Sequence, residues 1–185
     1  NEQAYAAGLV RLYRDAGYDA ILMDWDNPAA SHPEWTAEIQ YLPQRAPGAD
    51  GRDIALIWSN TTLFQQLQRF AHGDIDLPTY LRFVRGRMGQ GPRALCLYAS
   101  DAEIFDFRPG RFKTEERLCG HTEWTRLEEA LCAVAEDAVM TAPSGALALL
   151  TVPGAGQTMS LESAACPVPV KKQRKYNLAR WAVTG

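Results

Sequence analysis

The sequence predicts an α/β fold in which parallel strands are joined by crossover helices. Three observations carry this. Short apolar runs bounded by turn residues recur at Asp19–Trp25, Ile54–Trp58 and Arg93–Ala99, as in strands covered on both faces. Stretches of helical periodicity separate them. Polar and aromatic residues gather just past each run, where the strand ends of such folds share one rim.

Taken in order, Ala4 to Ala16 places Leu9, Val10, Leu12 and Tyr13 at helical spacing, with Gly17 as a stop. The first strand ends in Asp24, Trp25 and Asp26. A proline-bearing connection, 27–51, is then longer than compact α/β domains use, and such loops are usually functional. After the second strand, Asn60 is placed to cap a helix through TTLFQQLQRFAHG, and Asp76 with Pro78 opens another. The third strand delivers Asp101. Trp124–Val139 carries Leu127, Ala130, Leu131, Val134 and Ala138 on one stripe, an amphipathic helix. ALALLTV reads as a strand or a short helix, PGAG as a turn, and the basic, aromatic end as loop with one short helix.

With 185 residues, 46% of them hydrophobic, the chain has material for one sizeable core. A net charge of -3 argues against nucleic acid or an anionic membrane as principal partner. Cys96, Cys119, Cys132 and Cys166 are scattered and show no zinc spacing, which fits a reducing, cytoplasmic setting. No window reaches bilayer length, and no secretory signal precedes the first helix.

The stretch LYASDAEIFDFRPGRF holds the strongest chemical signal. Asp101 and Glu103 lie two apart beyond a strand, so in extended geometry they face one side and raise each other's affinity for a proton. A solvent-facing acidic turn is an equal alternative. Glu2 adds a third carboxylate, in the context expected just after a strand. His32, His72 and His121 lack metal-binding spacing and read as hydrogen-bonding loop or helix-end residues. No G-x-S-x-G occurs, and no cysteine sits beside an obvious base. The run Lys171–Lys175 reads as a solvated face, or with Tyr176, Asn177, Arg180 and Trp181 as a surface that stacks and hydrogen-bonds a neutral sugar.

These residues resemble glycoside hydrolase family 57, whose members act on α-glucans with retention. NEQAYAAGLVRLYRDAGYDAILMDWDN is similar to the family's nucleophile motif, and DAEIFDFRPG, with Asp101, Glu103, Phe105 and Pro109, is similar to its acid/base motif. The resemblance implies a distorted (β/α)7 barrel. Residues 1–118 would be the C-terminal portion of that barrel, and 119–185 a helical and loop region completing the active-site side. The family's histidine-bearing and Gly-x-Glu motifs would lie upstream of Glu2. The turn DFRPGRF departs from the more usual glycine and tryptophan forms, which bears on subsite preference.

The resemblance implies that Glu2 is the nucleophile, Asp101 the general acid/base and Glu103 the group that tunes or orients it. Retaining chemistry uses two carboxyls about 5 to 5.5 Å apart, one ionised and one protonated. Substrate would be held by Asp26, Trp58, Arg108, Trp124, Lys171, Lys172 and Trp181. The partner is then an oligosaccharide or polysaccharide, with no cofactor and no metal required. A second reading keeps the rim and drops the chemistry, giving a non-catalytic sugar-binding or regulatory protein. A metal-dependent polysaccharide deacetylase is disfavoured by the histidine spacing.

Overall fold

A computed structural model of the chain describes residues 5–100, 104–105, 118 and 121–162. The chain divides into two compact units, Asn1–Ser59 with Pro92–Ala94 and Ala142–Gly185, and Asn60–Gly91 with Leu95–Thr141.

In the first unit, helix α1 spans Ala7–Asp15. It begins later than the periodicity predicts because Ala6 is extended and Tyr5 turns inward, its hydroxyl donating to the Pro47 carbonyl. Gly17 ends it as expected, at φ 84° with its N–H on the Arg14 carbonyl. Strand β1 spans Ala20–Asp24, β2 Gln44–Pro47 and β3 Asp53–Ser59. They form a mixed sheet of order β1-β3-β2, with β1 parallel and β2 antiparallel to β3.

The connection 27–51 holds more structure than a loop. Helix α2 covers Asp26–Ser31, a 3-10 turn covers Ala37–Tyr41, and β2 follows. Strand β2 escaped the sequence reading because Gln44 occupies an inward position. That amide is buried yet satisfied: its Nε2 donates 3.0 Å to the Gly154 carbonyl, and its Oε1 accepts the Gln157 N–H at 2.8 Å. Through Gln157 and Met159 the later chain bonds to Arg45 on β2. ALALLTV belongs to a 3-10 helix, Pro143–Thr151, which decides between the two readings of that run. Val10, Met23, Ile54, Leu56, Met159 and Leu161 form the core.

The third expected strand, Arg93–Ala99, is not one. The segment is irregular, and the Ala94 N–H goes to the Tyr41 carbonyl at 2.8 Å instead of to a sheet. Arg93 is held by Glu38 and lies 4.8 Å above the Tyr41 ring. An apolar run favours extended backbone, but a strand also needs a ladder partner, and this one bonds to the 3-10 turn.

Among the described residues the second unit packs three helices: α3 Thr61–Ala71, α4 Leu77–Met88 and α5 Glu123–Ala135. Each has a side-chain cap, Asn60, Asp76 and Thr122, accepting the backbone N–H three residues on. Helix α5 stops short of the expected Val139, which is exposed. Leu67, Phe70, Tyr80, Val84, Phe105, Leu127, Ala130 and Val134 fill the core. Arg126 lies 4.1 Å over the Phe70 ring and donates 2.8 Å to the Phe70 carbonyl, one of the last carbonyls of α3. The α/β class is therefore as expected, carried by a small mixed sheet and helices. Among the described residues no helix is long and apolar enough to cross a membrane.

Candidate functional site

Parallel pairing of β1 with β3 sets Met23 opposite Trp58 and Asp24 opposite Ser59. The Trp25 N–H continues the ladder to the Ser59 carbonyl at 2.9 Å. Both strands therefore end at one level, which is where the sequence predicts a polar and aromatic rim. Paired residues share a face, and so do residues two apart, so Met23, Trp25 and Trp58 point the same way. The indoles of Trp25 and Trp58 meet edge to face, with centroids 5.2 Å apart at 86°.

Two further rings come from the long connection. Trp35 stands 5.7 Å from Trp25 and 6.1 Å from Trp58. His32 stacks on Trp35 at 4.2 Å, 6° from parallel. Trp25 and Trp58 are buried, whereas Trp35 and His32 are partly exposed. The four rings form one aromatic wall at the strand ends. Asp24, 2% exposed, and Asp26, exposed at the start of α2, flank it.

The His32 imidazole is oriented by Glu34, whose Oε1 lies 3.0 Å from Nδ1. The Glu34 backbone N–H and His32 hold that carboxyl below the usual range, so it is ionised near neutral pH and can only accept. The proton of this contact therefore sits on Nδ1, which in the neutral ring leaves Nε2 a lone pair. Two buried nitrogens of the wall, His32 Nε2 and Trp58 Nε1, have no hydrogen-bond partner among the described residues.

Of the expected site residues, Trp58 and Asp26 fall at this wall. Trp124 belongs to the other unit, in the first turn of α5, 42% exposed and 6.1 Å from the Phe105 ring. Glu2, Asp101, Glu103, Arg108, Lys171, Lys172 and Trp181 lie outside the described residues. Phe105, the aromatic of the stretch DAEIF, is described and fully buried, with Phe64 at 6.3 Å and Tyr98 at 5.9 Å between centroids.

Sequence reasoning missed Trp35 altogether and assigned His32 only a local hydrogen bond. The usable signal was the excess length of the connection that carries both. It also missed Glu123, whose side chain is 1% exposed in the first turn of α5, 3.4 Å from His72 Nε2 at the end of α3.

No protein-family model matches the sequence, and no curated protein does. Among solved structures, the chain is similar in fold to the crystal structure of 4-alpha-glucanotransferase from Thermococcus litoralis. The TM-score is 0.65 over 89% of this chain at 19% identity. The chain spans about a quarter of that neighbour, 24% of its length.

Proposed function

We propose that this chain is part of an enzyme acting on α-linked glucan, a glycoside hydrolase or glucanotransferase that works with retention through a covalent glycosyl-enzyme intermediate. The observation that carries the reading is the fold likeness to a 4-alpha-glucanotransferase across 89% of the chain. The motif from Asp101 to Phe105, which resembles the acid/base motif of glycoside hydrolase family 57, supports the same reading.

In this reading the chain contributes to a (β/α)7-type barrel. Glu2 attacks the anomeric carbon and displaces the leaving oxygen, to which Asp101 gives its proton. Asp101 then takes the proton of the incoming water or sugar hydroxyl that releases the glycosyl group from Glu2. Glu103, two residues on, opposes ionisation of Asp101 by like-charge repulsion. Trp58 and Asp26 line the substrate path at the β1 and β3 ends, while Arg108, Trp124, Lys171, Lys172 and Trp181 supply further contacts. Whether water or a second sugar accepts the glycosyl group fixes hydrolysis against transfer.

Turnover of amylose and maltooligosaccharides by the full-length protein tests this. Asp101→Asn should lower kcat by at least about a hundredfold, the low end of what a positioned acid/base contributes, with the unfolding midpoint unchanged. Wild-type rates in that variant would remove Asp101 from the mechanism. The sugar-binding alternative predicts oligosaccharide binding by the wild type with no turnover.

A further inference from the structure

We infer that His32, Trp35 and Trp58 form a glucosyl-binding subsite, in which a sugar ring lies against Trp35 while its hydroxyls pair with His32 Nε2 and the Trp58 indole N–H. This deepens the α-glucan reading and rests on it. Trp58 is 4% exposed and its Nε1 has no protein acceptor, and His32 Nε2 on the same wall has no protein donor. A buried donor or acceptor costs free energy until something pairs with it. Trp35 links the two, stacked on His32 at 4.2 Å and 6.1 Å from Trp58.

The chemistry of the wall selects the ligand class. Its faces are apolar and its two buried, unpartnered nitrogens are of opposite kind when His32 is neutral, since the indole N–H donates and an imidazole with its proton toward Glu34 accepts through Nε2. Among the described residues no group of three or more metal-ligating side chains occurs, which disfavours a cation here. Among the described residues no Lys or Arg belongs to the ring cluster, which disfavours an anion. A neutral ring with an apolar face and hydroxyls at its edge satisfies all three features.

The test is the steady-state kinetics of maltoheptaose with the full-length protein. Trp58→Phe keeps one aromatic ring, smaller than the indole, and deletes the N–H. His32→Phe keeps the stack on Trp35 and deletes both nitrogens. Each should lower kcat/KM about tenfold, mainly by raising KM, the effect of losing one neutral hydrogen bond and leaving its partner unpaired. His32→Gln, which returns an acceptor near the Nε2 position, should recover most of the loss, as repair of a merely structural defect would not.

Should Trp58→Phe fail to fold, the partly exposed His32 pair of variants decides the matter. Wild-type KM in folded His32→Phe overturns the subsite, as does a loss that His32→Gln does not relieve. A wild type that neither binds nor turns over maltoheptaose overturns the glucan reading first and this inference with it.

Discussion

Replacing Phe105 by alanine should cost about 4 kcal/mol of stability. The ring is fully buried and touches four others: Phe64 at 6.3 Å, Tyr98 at 5.9 Å, His72 at 6.0 Å and Trp124 at 6.1 Å between centroids. Truncating a buried phenylalanine costs about 3 to 5 kcal/mol through lost transfer energy and the cavity left behind. Each favourable aromatic pair adds roughly 0.5 to 1.5 kcal/mol, though the four share one ring and do not add in full. With a urea dependence of about 2 kcal/mol per molar, the midpoint should fall by about 2 M. The assay is urea unfolding followed by far- and near-ultraviolet circular dichroism. Phe105→Leu, which keeps most of the volume, should fall by less than half as much. A shift below roughly 0.3 M for the alanine variant would refute the argument, since no truncated core ring leaves stability nearly unchanged.

Two further outcomes follow from the packing. Gly48→Ala should destabilise by about 1 to 3 kcal/mol in thermal or urea unfolding, the cost of overpacking. A Cβ there would lie 2.8 Å from the Arg52 carbonyl oxygen and 3.1 Å from Val10 Cβ, and an unchanged midpoint would show that this turn relaxes freely. Burial pushes the hydroxyls of Tyr5 and Tyr80 from 10.0 up to about 12, with Glu162 adding to the effect at Tyr5. The folded chain keeps these protons where the unfolded chain releases them, so their stabilisation is complete below about pH 10 and is lost as pH rises toward 12. Tyrosinate absorbance should accordingly show Tyr5 and Tyr80 ionising near pH 12, and their titration near pH 10 with the fold intact would contradict their burial.

The parts of the fold that could be read from the sequence are those whose signal is local. The parallel strands β1 and β3 are continuous apolar runs, and α3, α4 and α5 carry both periodicity and a capping residue. Strand β2 was hidden because its inward Gln44 is satisfied by the chain around Gly154 and Gln157, a long-range fact that no local pattern records. Arg93–Ala99 misled for the converse reason: the run has strand composition, but its hydrogen bond goes to the turn at Tyr41.

The candidate site divides the same way. Trp58 lies near the end of β3 and Asp26 just past β1, and both were found by the strand-end rule. Trp35 and His32 reach the same wall from a connection of no regular pattern, so only its length marked them. Phe105 shows a further limit, since its place in the motif DAEIF is legible while its role as the packed centre of five rings is tertiary.

Trapping the covalent intermediate tests the central claim most directly. The full-length protein is exposed to a 5-fluoro glycosyl fluoride of the α-gluco series, its intact mass is measured, and any adduct is mapped to a peptide. A retaining mechanism predicts one added fluoroglucosyl group on the peptide that carries Glu2, formed faster than it is released because the fluorine slows both steps while the fluoride leaving group favours the first. An unmodified mass, from protein that also leaves amylose and maltooligosaccharides intact, would contradict the assignment and leave the aromatic wall at Trp25, Trp35 and Trp58 to a protein that binds sugar without transforming it.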